Sequence, residues 1–278
     1  MPPAPDLHLA GLALVARSVG GIETCIELPE LRLCFDLGRC PPTAVARPLV
    51  LFTHCHMDHL GGVAYHCATR ALMGMAPPVY VVPPHAVEPL GALFEAWRRL
   101  DETTLRHTLV PVAPGDDYTV GRDLVARPFR SPHSIRCQGY GLWRRKAKLR
   151  PEYHGLGPRE LEDLRVRQGV EITTRVEEPI FAFTGDTRID VVEREEVVRR
   201  AKLLVMECTF LDDRVSVEEA RSTGHVHIDE IPERAHLFEN EAILLTHFSA
   251  RYSRAEIVAL LDKKLPPALR ARVTPLLP

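Results

Sequence analysis

The sequence predicts an α/β protein in which two sheets pack face to face with helices on their outer sides. Three observations carry this. Four apolar runs, PLVLF (48–52), IFAF (180–183), LLVM (203–206) and AILL (242–245), are continuous rather than alternating, as strands buried on both faces must be. Segments with helical spacing of apolar residues lie between them. Residues 1–45 and 108–142 break instead into short strands at Gly and Pro turns, with LRLCFDLG (31–38) the clearest.

Taken in order, the helices follow the strands. Residues 62–75 follow the first site strand, and 84–100 carry apolar residues at helical spacing. VSVEEAR (215–221) reads as another short helix. Ser253-Arg254-Ala255-Glu256 is a capping-box pattern ahead of IVALLDKKL. Neither an internal repeat nor a low-complexity segment is visible. The compositional exception is 144–175, where five of the seven residues Arg144–Arg150 are basic. It reads either as a solvated charged hairpin or helix, or as a surface for a phosphate backbone.

The chain has 278 residues, 45% of them hydrophobic, enough for one substantial core, and we read residues 1–278 as a single domain. A formal charge of −2 gives no global attraction to nucleic acid or membrane, so a polyanion needs a local patch. MPPAPDLHLAGLALVARS lacks the basic start of a secretion signal, and no apolar run is long enough to span a bilayer. Seven cysteines without CxxC spacing read as reduced thiols, which together predicts a cytoplasmic protein without a membrane partner. Cys55, between His54 and His56, points away from both in an extended stretch and reads as a structural thiol.

Each of the four apolar runs stops at a residue able to bind metal or move a proton. The first leads into THCHMDHLGG (53–62), the others into Thr184-Gly185-Asp186, Glu207-Cys208-Thr209 and Thr246-His247-Phe248. Alternate residues of an extended loop project to one side, so His54 and His56 can clasp one ion. The chain then turns, and Asp58 with His59 faces a neighbouring position. Imidazoles with a carboxylate suit Zn²⁺ and tolerate Mn²⁺ or Fe²⁺. Gly185 lets the backbone turn so that Asp186 can span two ions.

HxHxDH after a strand resembles the signature of the metallo-β-lactamase superfamily, and FDLG, SPHS, TGDT and THFS follow in the superfamily's order. Within it, GIETCIELPELRLCFDLGRCP, VMECTFLDD, GHVHIDEI and FENEAILLTHFSARY resemble the short plant-type tRNase Z family along nearly the whole chain. The resemblance implies a four-layer αβ/βα sandwich. It implies two divalent ions, preferably zinc: one on His54, His56 and His133, a second on Asp58, His59 and His247, with Asp186 bridging. Asp36 is expected to support the metal loop without touching metal.

The implied activity is an endoribonuclease removing 3′ trailers from precursor tRNA. A two-metal centre, its ions about 3.5–4 Å apart, activates a water and stabilises the displacement. Asp58 is then the proton acceptor. His225, oriented by Glu207, protonates the leaving 3′-oxygen. The family's Gly-His-Ser-Thr is here Gly224-His225-Val226-His227, and His227 is expected in a structural hydrogen bond. The family also implies a homodimer and a tRNA-clamping arm between His133 and Asp186. With only 52 residues between these, the arm is short, and Arg144, Arg145, Lys146 and Lys148 are its candidate RNA contacts. A phosphodiesterase of small nucleotide esters would use the same metals without a docking patch. A hydrolase of thioesters, lactones or β-lactams would not need the His225–Glu207 acid, and the complete ligand set argues against a non-catalytic module.

Overall fold

A computed structural model describes residues 6–278; the first five residues of the leading segment lie outside it. One sheet contains seven strands in sequence order: Asp6–Leu9 (β1), Leu12–Val19 (β2), Glu23–Leu28 (β3), Leu33–Phe35 (β4), Leu49–Leu51 (β5), Val79–Val82 (β6) and Thr108–Pro111 (β7). The second holds Tyr118–Gly121 (β8), Leu124–Ser131 (β9), Cys137–Leu149 (β10), Thr173–Phe183 (β11), Leu203–Glu207 (β12), Ala242–Thr246 (β13) and Val273–Pro275 (β14), also in order. In each sheet the first four strands pair antiparallel and the last four parallel. The halves thus repeat one topology without a visible sequence repeat.

Parallel neighbours need crossovers, and helices provide them. Val63–Leu72 joins β5 to β6, Val87–Asp101 joins β6 to β7, and Arg254–Lys264 joins β13 to β14. Ser253 caps the last of these reciprocally with Glu256, as its sequence pattern requires. The segment read as one helix over 62–75 is shorter, and a separate single turn, Met57–Leu60, precedes it.

Burial explains the continuous apolar runs. Leu51, Val81, Leu203, Val205 and Leu244 point into the layer between the sheets. Their neighbours Val50, Tyr80 and Val82 face the helices outside the first sheet, and Leu204, Met206, Ile243 and Leu245 face those outside the second. The result is helix, sheet, sheet, helix. Phe35 anchors the central layer, its ring 5.1 Å from Phe181, 5.6 Å from Phe183 and 5.8 Å from Tyr140.

The charged segment 144–175 runs out along the end of β10, turns through three short helical segments (Pro151–Tyr153, Pro158–Glu162 and Asp163–Arg167) and returns as the start of β11. Beyond Arg144, β10 outruns its β9 partner and pairs only with β11, while Pro158–Glu162 forms a short helix near the tip. Among the described residues no helix is long and apolar enough to cross a membrane.

Candidate metal centre

All the candidate ligands but His133 come from the carboxyl ends of parallel strands in both sheets, where α/β sheets commonly open a crevice. After β5 the chain runs extended through His54 and His56, then makes the helical turn that carries Asp58 and His59. Asp186 follows β11 and His247 follows β13. His133 lies in the β9–β10 connection.

These seven side chains converge into two groups. His54, His56, His133 and Asp186 can each place one ligand atom within 4.8 Å of the others, and so can Asp58, His59, Asp186 and His247. His54 Nε2 is 3.0 Å from His56 Nδ1, which is 3.3 Å from His133 Nε2. Asp186 divides its oxygens: Oδ2 is 3.7 Å from His54 Nε2 and 3.9 Å from His133 Nε2, while Oδ1 is 3.2 Å from His59 Nε2 and 3.4 Å from His247 Nε2. Asp58 Oδ2 completes the second group, 3.4 Å from His247 Nε2 and 3.7 Å from His59 Nε2.

Whether this donor set fits cations is decided by the opposite face of each ring. His54 Nδ1 donates to Thr53 Oγ1 at 2.9 Å, whose own hydrogen goes to Asp36 Oδ2 at 2.8 Å. His59 Nδ1 donates to Asp36 Oδ2 at 2.7 Å, and His133 Nδ1 to the Gly224 carbonyl at 2.8 Å. His247 Nδ1 donates to Thr209 Oγ1 at 2.9 Å. These partners fix the tautomers so that four Nε2 lone pairs face inward, the usual outer support of metal-ligating histidine. His59 Nε2 is buried and makes no well-aligned hydrogen bond, although the Asp186 and Asp58 carboxylates lie beside it. Inward-facing nitrogens interleaved with carboxylate oxygens are a donor set that fits divalent cations.

Charge points the same way. Burial opposes ionisation of Asp58 and Asp186, but the surrounding histidines outweigh it and hold both carboxyls below their ordinary value. Burial, reinforced by neighbouring imidazoles, holds His54 well below its ordinary value and therefore neutral.

Two glycines and two strained residues shape the loops. Gly185 has φ +58°, and a Cβ there would lie 2.8 Å from the Thr53 side chain. Gly224 has φ +85°, and a Cβ would meet Ser134 N at 2.4 Å and His133 Nδ1 at 2.7 Å. Asp36 and His247 themselves adopt left-handed backbone, φ +58° and +61°, which non-glycine residues rarely do.

Beside the second group, His225 Nδ1 lies 2.9 Å from Glu207 Oε1. Glu207 also accepts from Thr187 N at 2.6 Å, Thr209 Oγ1 at 2.5 Å and Val226 N at 3.3 Å. Its oxygens are saturated, so Glu207, His225 and His247 form no third cation site despite their proximity. Burial disfavours the His225 imidazolium, but Glu207 outweighs it and raises the pKa to about 9. The ring lies 4.9 Å from that of His133 and 5.4 Å from that of His247, at the edge of the centre. His227 turns away, with Nε2 against the Asp212 carbonyl and Nδ1 accepting from Asp229 N.

Arg144, Arg145, Lys146 and Lys148 are not brought to this centre. They lie along the distal half of β10, and Lys148 is about 35 Å along the strand from its start, at about 3.3 Å per residue. Arg145 is paired with Glu177 and Asp117, each at 2.9 Å, and Lys146 with Glu178. Of these four, only Arg144 and Lys148 present unpaired charge among the described residues. Sequence reasoning missed Thr53 and Thr209, whose hydroxyls relay between carboxylates and ligand histidines. Their one signal was position, at strand ends beside His54 and Glu207.

The family model described as "Beta-lactamase superfamily domain" matches residues 39–248. The protein named tRNase Z TRZ1 of Arabidopsis thaliana is 46% identical, over 96% of this chain and 95% of that protein. The same plant's tRNase Z TRZ2, chloroplastic, is 40% identical over 97% of this chain and 76% of that protein. Among solved structures, human tRNase Z, short form, is similar with a TM-score of 0.53 at 21% identity, covering 90% of this chain and 89% of its own. The metallo-β-lactamase fold protein YhfI of Bacillus subtilis gives 0.57 at 16%, covering 89% and 90%. The chain therefore belongs to the tRNase Z family of the β-lactamase superfamily.

Proposed function

We propose that the protein is a metal-dependent endoribonuclease that removes 3′ trailers from precursor tRNA. The observation that carries the reading is the junction of the two ligand groups with the His225–Glu207 pair, on a chain 46% identical to a tRNase Z. An acid is what separates cleavage of an unactivated ribose ester from hydrolysis of a good leaving group.

His54, His56 and His133 would hold one cation, and Asp58, His59 and His247 the other, with Asp186 between them; the nitrogen and oxygen donors favour zinc. Bound cations supply charge stabilisation at the scissile phosphate and a more acidic water. The chain's own groups move the protons. Asp58 accepts one from the attacking water. As the new P–O bond forms and the bond to the 3′-oxygen breaks, His225 donates from Nε2 to that oxygen, its Nδ1–H held by Glu207. The products are a 3′-hydroxyl on the tRNA and a 5′-phosphate on the trailer.

Residues 1–278 act as one metallo-β-lactamase-fold unit, with the β10–β11 hairpin as a reduced arm. Replacing Arg144 and Lys148 should flatten the salt dependence of tRNA binding by about 0.7–0.9 for each phosphate they neutralise. A homodimer is supported by exposed apolar side chains: Leu72 is 87% and Leu100 82% exposed, and Tyr65 and Leu72 line one hollow. Seven free cysteines suit the reducing cytoplasm.

The test offers purified, zinc-loaded protein a 3′-extended precursor tRNA and, separately, bis-p-nitrophenyl phosphate. A single cut 3′ of the acceptor stem is expected. Turnover of the small ester alone overturns the tRNA reading.

A further inference from the structure

We propose that a cleft beside His133 is the binding site for the single-stranded RNA lying 3′ of the cleaved bond, with its phosphates held by Arg130, Arg136 and Arg194. The inference rests on the endonuclease reading and adds where the trailer goes.

The cleft has a volume of about 460 Å³, within the usual range of small-ligand sites, about 300–1,000 Å³. That admits a nucleotide or two and excludes a helical stem. Arg130, Arg136, Arg194 and His85 line it, and no Asp or Glu does. Among the described residues none gives any of these three guanidiniums a hydrogen bond or ion pair. Their neighbours contrast: Arg127 and Arg145 are both pinned by Asp117 and Glu177. The adjoining hollow, which shares Arg130, has Glu195 and Glu196 in its wall. Acidic groups are thus kept off the wall of this cleft, which reaches the metal centre at His133. Unpaired guanidiniums at a neutral wall are suited to phosphate, which they can bind bidentately.

The rest of the wall suits a ribose or base. Pro84, Pro132 and the exposed Ile135 give it an apolar face, and proline's fixed φ keeps that face rigid.

Polarity follows from the acid. His225 must face the departing 3′-oxygen, so the stem carrying that oxygen approaches from the dyad. None of Glu207, Gly224, His225 or His247 lines the cleft, and His133 is its only candidate ligand. His133 turns Nδ1 to Gly224 while also bordering the cleft. RNA crossing the centre from the dyad therefore leaves over His133 into the arginines. The trailer keeps the cleaved phosphate and leaves as a doubly charged monoester, which three arginines are placed to hold.

Binding is measured by fluorescence anisotropy with a 5′-phosphorylated hexaribonucleotide labelled at its 3′ end, in EDTA so that cation sites do not contribute. Wild type should bind it more tightly than its 5′-hydroxyl counterpart. Combined Arg130→Gln, Arg136→Gln and Arg194→Gln should weaken binding about tenfold or more. The log–log salt slope should fall by about 2, from about 0.7 for each single-strand phosphate neutralised. Arg136→Gln alone should lower it by about 0.7, a graded response that misfolding would not give. Unchanged affinity and slope in the triple variant overturn the assignment, as does loss of binding on replacing Arg144 and Lys148 instead. If precursor tRNA is not cut while hexanucleotide binding still depends on these arginines, the endonuclease reading falls and the phosphate site stands.

Discussion

Asp36 holds His59 from behind: Asp36 Oδ2 accepts from His59 Nδ1 at 2.7 Å, with both side chains fully buried. The same carboxylate accepts from Thr53 N and Thr53 Oγ1, each at 2.8 Å, and so reaches His54 through the threonine. One buried charge therefore sets the tautomers of a ligand in each group. Asp36→Asn should weaken cation binding about 10–100-fold, the usual effect of losing such support. Competition with a chromophoric chelator measures it, and unchanged affinity would remove Asp36 from this role.

Thr209 couples the second group to the acid. Its hydroxyl accepts from His247 Nδ1 at 2.9 Å and donates to Glu207 Oε2 at 2.5 Å. Thr209→Val should lower kcat at least about tenfold and weaken cation binding at the His247 group. Thr209→Ser keeps the relay and should recover most of both. A serine variant as poor as the valine one would assign the threonine to packing alone.

Gly224→Ala should displace His133, because the new methyl would press on its Nδ1 and on the Ser134 amide. Overpacking adds about 1–3 kcal/mol and left-handed backbone about 1 kcal/mol more. Expected readouts are a lower thermal midpoint and loss of close to half the bound metal. Full metal content with wild-type stability would show the loop yields freely.

Stability should fall in mild acid through His66, a buried residue that belongs to neither ligand group. Its Nδ1 is 2.9 Å from Tyr80 Oη, and its Nε2 faces the Ala44 and Arg47 carbonyls at 3.2 Å. Burial, aided by Arg70, lowers its pKa to about 4. Between that value and the unfolded value of about 6.5, the unfolded chain binds a proton the folded one refuses. The stabilisation is complete above pH 6.5, erodes as pH falls, and is gone below about 4, for an upper value of about 3 kcal/mol. Urea titrations of metal-free protein at pH 7.5 and 4.5 should diverge more for wild type than for His66→Gln. Equal pH dependence would exclude His66 as the source.

Much of this was readable before folding, for local reasons. The spacing from His54 to His59 is short enough for backbone geometry alone to gather those side chains. Asp186 and His247 stood out because each ends a run that only a doubly buried strand would tolerate. The helical turn at 57–60 was not legible, since four residues carry too little periodicity. Nor could the sequence reveal that Arg145 and Lys146 are partly spent on Glu177, Asp117 and Glu178, because those partners lie 28 to 32 residues away along the chain. The arginine cleft was hidden for the same reason: Arg130 and Arg136 flank the β9–β10 turn, whereas Arg194 arrives from the short helix after β11.

The placement of the ligands on two sheets has a consequence for synthesis. A ribosome that has delivered His54 through His59 still has most of the chain to make before His247 emerges. No shorter nascent chain can assemble both groups, so the paired centre cannot exist on the ribosome until His247 has been delivered.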